Sequence, residues 1–172
     1  YCSSEDIDDS NRNAGIRCET TIMKAFVYGA DGASIADVAK PSPKGPQVLV
    51  RVRACGLNRA DLGMTKGHAH GNAGGPETQP GLERAGGMVE VGPDAQGVRA
   101  GDRVWGSGAA AFAEYAPADQ ARLFQIPAGM DFDEAATLPI ALTTMHNAVA
   151  TNGRLQPGQA VLIQGASSGV GL

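Results

Sequence analysis

The sequence predicts a mainly β domain of barrel type with short helices, closing on the first strand and turn of an α/β unit. Three observations predict it: short strand-like runs bounded by Gly, Pro or Asp, a high glycine content, and a final apolar run that leads into a glycine string. Glycine is 24 of 172 residues, about twice the usual share of about 7%, which favours a turn-rich β architecture. The glycines keep no three-residue period and 42% of the chain is apolar, so neither a collagen-like nor a wholly disordered chain fits.

Residues 1–22 are rich in Ser, Asp, Asn, Glu and Arg and have neither a helical nor a strand period. They are expected to form a disordered extension, with Met23 as the natural start; a regulatory segment is the rival reading. Met23 opens the strand-like run Met23-Lys24-Ala25-Phe26-Val27-Tyr28. Pro41, Pro43 and Pro46 lack donors and have fixed φ, which suits an extended connection before the next strand. From Gln47 the alternation places Val48, Val50, Val52 and Ala54 on one face and Leu49, Arg51, Arg53 and Cys55 on the other, as in a half-buried strand. A short helix is expected over 59–64 and a glycine-rich loop over 66–75.

Further strands are expected over 87–91, 103–106, 112–116 and 122–126. Asp131 with Glu134 three places on reads as a capping box. The helix it opens is interrupted at Leu138-Pro139 and resumes to about Thr151, where Asn152-Gly153 can take the left-handed stop. Ala160-Val161-Leu162-Ile163-Gln164 then reads as the buried central strand of a parallel sheet. The predicted organisation is therefore an extension over 1–22, a β-rich domain with a helical link over 23–150, and the beginning of a second unit over 151–172.

Charge and cysteines narrow the functional classes. The net charge is −4, and residues 1–22 alone hold five acids against Arg12 and Arg17, leaving a nearly neutral body. Without a basic stripe, nucleic acid is not an expected partner. No run of about 18 apolar residues and no signal-like opening is present, so a membrane is not expected either and the cytoplasm is the expected location. Cys2 and Cys18 fall in the extension and Cys55 alone in the body, which is neither a disulfide framework nor a structural zinc pattern.

After the final apolar run stands Gly165-Ala166-Ser167-Ser168-Gly169-Val170-Gly171. Small residues let such a turn approach a pyrophosphate, and a following helix would offer free N–H donors and a positive dipole end. An ordinary glycine turn is the plain alternative. The short-chain dehydrogenase pattern also fits Gly165, Gly169 and Gly171, although those enzymes carry it near their start and here a β-rich domain precedes it.

Six short segments in order resemble the medium-chain dehydrogenase/reductases, and among them the zinc-free quinone oxidoreductases. They are Ala54-Cys55-Gly56-Leu57-Asn58-Arg59-Ala60-Asp61-Leu62; Pro80-Gly81-Leu82-Glu83 with Gly86-Gly87; Gly101-Asp102-Arg103-Val104; Phe112-Ala113-Glu114-Tyr115; Ala135-Ala136-Thr137-Leu138-Pro139; and the final glycine string. The resemblance runs from Met23 to Leu172. It implies a GroES-like, partly open β-barrel followed by the first strand and glycine turn of a truncated Rossmann domain. It also implies a homodimer in the full-length protein, NADPH as cofactor, and hydride transfer to a quinone or α,β-unsaturated carbonyl.

Zinc-dependent relatives use a cysteine and a histidine of the barrel as ligands, where this chain has Asn58 and Leu82. An amide is a poor zinc ligand and leucine is none, so no zinc is expected. His68-Ala69-His70 could chelate, but a solvated glycine-rich loop is the plainer reading. Without a metal, neutral donors must polarise the acceptor oxygen as charge develops on it. By resemblance Asn58 is the leading donor beside nicotinamide and substrate; an asparagine that bonds its own backbone in a turn is the alternative. Thr144 matches a threonine beside the nicotinamide amide, with Thr143 leaving the register open by one. Gly165, Ala166, Ser168, Gly169, Val170 and Gly171 are the expected pyrophosphate contacts. Glu83 and Tyr115 read as structural.

The residues that choose between NAD and NADP lie about 20 positions beyond the glycine turn, so the 172 residues alone are expected to have neither reductase activity nor measurable NADPH affinity. A zinc-dependent alcohol dehydrogenase relative and a non-catalytic GroES-like binding module are the competing functional readings.

Overall fold

The computed structural model describes residues 21–29, 32–66, 68–70, 73–74 and 79–171. The expectations for residues 1–20 lie outside this set. In chain order the elements are β1 (Ile22–Gly29), β2 (Gly32–Ala39), β3 (Gln47–Cys55), α1 (Arg59–Met64), β4 (Ala69–His70), β5 (Ala73–Gly74), β6 (Glu83–Val91), β7 (Arg103–Ser107), β8 (Tyr115–Asp119), β9 (Leu123–Gln125), α2 (Phe132–Ala136) and α3 (Leu138–His146). No helix among the described residues is long and apolar enough to cross a membrane.

The centre is a five-stranded antiparallel sheet in the order β8-β3-β6-β7-β9. Two register shifts between β3 and β6, at Leu49/Val50 and Val52/Ala54, bend and twist the middle of the sheet. One apolar cluster joins Val48, Val50, Met88, Val104 and Ala118 on one face. A second packs Ala85 and Ile126 under Ala135 and Ala136 of α2. β1 and β2 form a separate antiparallel hairpin, from Ile22↔Ala39 to Gly29↔Gly32. It is stitched to the sheet by a bridge between Ala25 and Ala113 and by Phe26 N–H donating to Phe112 O at 2.8 Å.

The architecture is the mainly β, open arrangement with short helices that the sequence predicts, and several elements differ from expectation in informative ways. β2 was not predicted; it exists as the partner of β1, its residues mostly exposed and too polar to stand out as a strand. Residues 112–114 pair with the β1 hairpin, so the strand expected over 112–116 begins at Tyr115 instead. In β3 the alternation holds beyond Val50, but Leu49 is as fully buried as Val48 and Val50, because that end is covered on both faces. The loop expected over 66–75 contains the minimal pair β4 and β5.

α1 spans the predicted residues, and α2 opens with Asp131 accepting from Glu134 N–H at 2.8 Å. Pro139 sits in the first turn of α3, where its missing donor costs nothing, and this separates α3 from α2. α3 continues into a wider turn over Asn147–Asn152. Its stop is not made by Asn152-Gly153: Gly153 has φ −70° and the left-handed residue is Arg154, at φ 48°. Residues 160–164 form no strand, since a central strand of a parallel sheet exists only through its ladder, and among the described residues nothing pairs with them. Val161, Leu162 and Ile163 are accordingly exposed.

Beneath the sheet, Arg84 is fully buried. Its Nη1 donates to Pro117 O at 3.1 Å and its Nη2 to Ala109 O at 2.7 Å. Burial lowers its pKa to about 10, and the two carbonyl bonds offset part of the cost of removing a cation from water.

Candidate functional site

The site is built where β3 ends. Gly56 and Leu57 carry the chain out of the strand, and Asn58, in extended conformation (φ −117°, ψ 148°), starts α1. Its backbone N–H donates to Asp61 Oδ2 at 2.7 Å, and Asp61 N–H returns to Asn58 O at 3.0 Å. These reciprocal bonds satisfy donors that a helix start leaves without intrahelical partners.

The Asn58 side chain turns to β6. Its Nδ2 donates to Glu83 Oε1 at 2.7 Å, and Glu83 Oε2 accepts from the backbone N–H of Ile140 in α3 at 2.9 Å. Glu83 is only 5% exposed, so a buried carboxylate joins three elements by one bond to each of two donors. An ionised carboxylate only accepts, which fixes the orientation of the Asn58 amide. Nδ2 carries two protons, and the second has no acceptor among the described residues. Gly56 makes this geometry possible: a side chain there would occupy the space of the Glu83 carboxylate.

Asn58 lies in the wall of a cleft of about 740 Å³. Phe26 and Phe112 close one side, their rings edge to face at 6.3 Å and 86°. Leu57 and Leu62 form an exposed apolar rim, 84% and 65% accessible, and Arg59 adds one cation. Behind the two phenylalanines lies a second groove of about 370 Å³, which reaches Cys55. Although Cys55 is exposed at its surface, partial desolvation against the surrounding strands first, then the charges of Asp61 and Glu83, push its thiol above its usual pKa. Such a thiol is a weak nucleophile.

The other predicted site residues fall outside this cleft. Thr144 is exposed on α3, one turn beyond Ile140, and does not line the cleft. Thr143 instead borders a separate hollow of about 240 Å³ with Trp105, Phe124 and Pro139, where the two aromatic rings stack at 4.9 Å. Residues 165–171 form an exposed turn that does not border the cleft. Gly165 has φ 74° and accepts from Ser168 N–H at 2.9 Å, while Gly171 N–H donates to Ser168 O at 2.9 Å. A Cβ on Gly171 would collide with Gly165 O, so the turn requires glycine there. The N–H groups of Ala166, Gly169 and Val170 have no acceptor among the described residues, and a pyrophosphate could use them.

No three His, Cys, Asp or Glu side chains converge among the described residues. Leu82, at the second position expected to lack a zinc ligand, is buried. His68 is exposed, and the side chain of His70 lies outside the described residues. Tyr115 packs under the Lys40 ammonium at 4.9 Å, a structural contact.

Sequence reasoning placed Glu83 in the barrel but missed its bond to Asn58, and it missed Gly56, Phe26 and Arg59 as site residues. One signal was available: a glutamate inside the buried run from Leu82 to Gly86 needs hydrogen-bond partners, and those partners mark a built position.

Comparison with known proteins fits this architecture. The alcohol dehydrogenase GroES-like domain family matches residues 44–128. Quinone oxidoreductase-like protein 2 of Mus musculus is 40% identical over 141 residues, which is 81% of this chain and 40% of that protein. Quinone oxidoreductase of Homo sapiens is 36% identical over 139 residues, 80% of this chain and 42% of that protein. Among solved structures, an alcohol dehydrogenase superfamily protein from Novosphingobium aromaticivorans superposes with a TM-score of 0.79 at 33% identity, covering 88% of this chain and 48% of its own. The chain thus spans about two fifths of the length of these curated relatives. With a mainly β, open fold and these matches, the chain belongs to the medium-chain dehydrogenase/reductase superfamily and carries its alcohol dehydrogenase GroES-like domain over residues 44–128.

Proposed function

We propose that this chain supplies the acceptor-binding side of an NADPH-dependent reductase that passes hydride to a quinone or α,β-unsaturated carbonyl without zinc. The observation that carries the reading is the cleft beside Asn58: Phe26, Phe112, Leu57 and Leu62, with Arg59, Asp61 and Thr65, around an amide whose second Nδ2 proton has no acceptor among the described residues. Phe26, Phe112, Leu57 and Leu62 suit a flat, poorly charged acceptor. Asn58 donates to its carbonyl oxygen, and a neutral donor suits that task because negative charge grows there as reduction proceeds.

Zinc does not fit these residues. The nitrogen of Asn58 faces a carboxylate through its own proton, and Leu82 offers no donor atom. A nicotinamide cofactor fits better, because the glycine turn over 165–171 offers backbone donors for its pyrophosphate; when bound it supplies the hydride. Thr144 and the turn belong to the cofactor side of this proposal. The curated relatives named quinone oxidoreductase support the choice of acceptor class.

The test is quinone-dependent NADPH oxidation by the full-length protein, before and after exhaustive chelation, with Asn58→Ala beside it. Activity that survives chelation and falls in Asn58→Ala supports the reading. Activity that vanishes with the metal and returns with stoichiometric zinc overturns it.

A further inference from the structure

Glu83 does more than fill the barrel. Its carboxylate is 5% exposed and makes two bonds, one to the amide nitrogen of Asn58 at 2.7 Å and one to the N–H of Ile140 at 2.9 Å. The backbone of Gly56 lies against the same carboxylate, so close that any Cβ would overlap it. The carboxylate is therefore packed from one side and bonded from two others. An asparagine at a cleft wall would otherwise sample several χ2 orientations, because the terminal torsion of an amide is broad. Here one orientation is selected, since only a nitrogen can face an accepting oxygen at that distance.

We infer that Glu83 is the positioning residue of the site, holding the Asn58 amide and the start of α3 in one register. The inference rests on Asn58 being the polar contact of the proposed reductase. Its chemistry is positional: Glu83 touches neither acceptor nor cofactor and transfers no proton. A glutamine at 83 would keep the volume but present one acceptor and one donor to two donors. The backbone N–H of Ile140 cannot move away, so the mobile Asn58 amide loses its anchor.

The direct test is nuclear magnetic resonance of the 15N-labelled full-length protein. In the wild type one Asn58 side-chain proton is shifted downfield and exchanges slowly, an assignment verified by its loss in Asn58→Ala. In Glu83→Gln that shift disappears, while the Asn58 backbone N–H, bonded to Asp61, stays in place. Asn58 side-chain protons with the shift and exchange rate of an unstructured peptide overturn the inference from the wild type alone, even where the variant fails to fold.

A second arm uses the full-length reductase. Glu83→Gln lowers kcat/KM by up to about a hundredfold, the scale of a misplaced polar group. In an Asn58→Ala background the same change costs nothing further, because both act through one contact. An equal loss in both backgrounds makes Glu83 a support of the fold alone and overturns the inference. An intact Asn58 signature in a full-length protein that lacks reductase activity supports the tether and overturns the functional reading instead.

Discussion

Gly56→Ala probes the packing under the site. Its φ is not left-handed, so a side chain is forbidden by space and not by the backbone. An ideal Cβ falls 2.6 Å from Glu83 Cδ and 2.8 Å from Cγ, where carbons normally rest about 3.5–4.0 Å apart. The resulting overlap of about 1 Å cannot be absorbed in place. The carboxylate yields by turning away, and it forfeits its bonds to Asn58 and Ile140. Each bond to a charged acceptor contributes about 1.5–3 kcal/mol, and the stiffer alanine returns up to about 1 kcal/mol through the unfolded chain. The expected net loss is about 2–5 kcal/mol, a large part of the roughly 5–15 kcal/mol that stabilises a domain. Urea titration followed by the fluorescence of the single tryptophan, Trp105, measures it. A loss below about 1 kcal/mol refutes the steric argument, and so does an undiminished loss in a Glu83→Ala background, where there is nothing left to displace.

Leu49→Ala, at a fully buried position, is expected to cost about 2–5 kcal/mol in the same titration; a near-neutral change would mean that this end of β3 is open to water. Phe26 and Phe112 line both the 740 Å³ cleft and the 370 Å³ groove; under the proposed quinone reduction, Phe112→Ala in the full-length protein should shift kcat/KM toward wider quinones, and an unchanged preference between one-ring and three-ring acceptors counts against that wall. The Cys55 thiol, exposed but raised by partial desolvation and by the charges of Asp61 and Glu83, keeps its proton in the folded chain at a pH where the unfolded chain has lost it. That contribution is therefore present below the unfolded thiol's range and is lost as pH rises through the folded value. Iodoacetamide should label Cys55 more slowly in buffer than in urea at one alkaline pH, read by mass spectrometry, and equal rates would contradict the shift.

The parts of the fold legible in the sequence are those fixed by local chemistry. The alternation from Val50 to Cys55, the Asp131 and Glu134 box and the break at Pro139 each depend on neighbours within a few residues, and each stands where expected. Strands with apolar or β-branched runs, β6, β7 and β9, were also found despite distant partners, whereas segments whose own residues carry no such signal, or whose apolar run lacks a ladder, were misread or missed. β2 is a strand because β1 lies beside it, residues 112–114 bond to the hairpin before the chain enters β8, and residues 160–164 have no ladder to join among the described residues. The same division holds at the site. Asn58 was singled out by the resemblance of its segment to a known family, whereas its bond to Glu83 spans 25 positions and the aromatic wall joins Phe26 to Phe112. No local pattern encodes such contacts.

Pro117 lies opposite Leu49 in β8, the outermost strand on one flank of the central sheet. It has no N–H to offer a newcomer, and its carbonyl is already engaged by Arg84. A foreign strand that approached this margin would meet a gap in the donor row and an acceptor in use, so the sheet is protected there against growing from one molecule into the next.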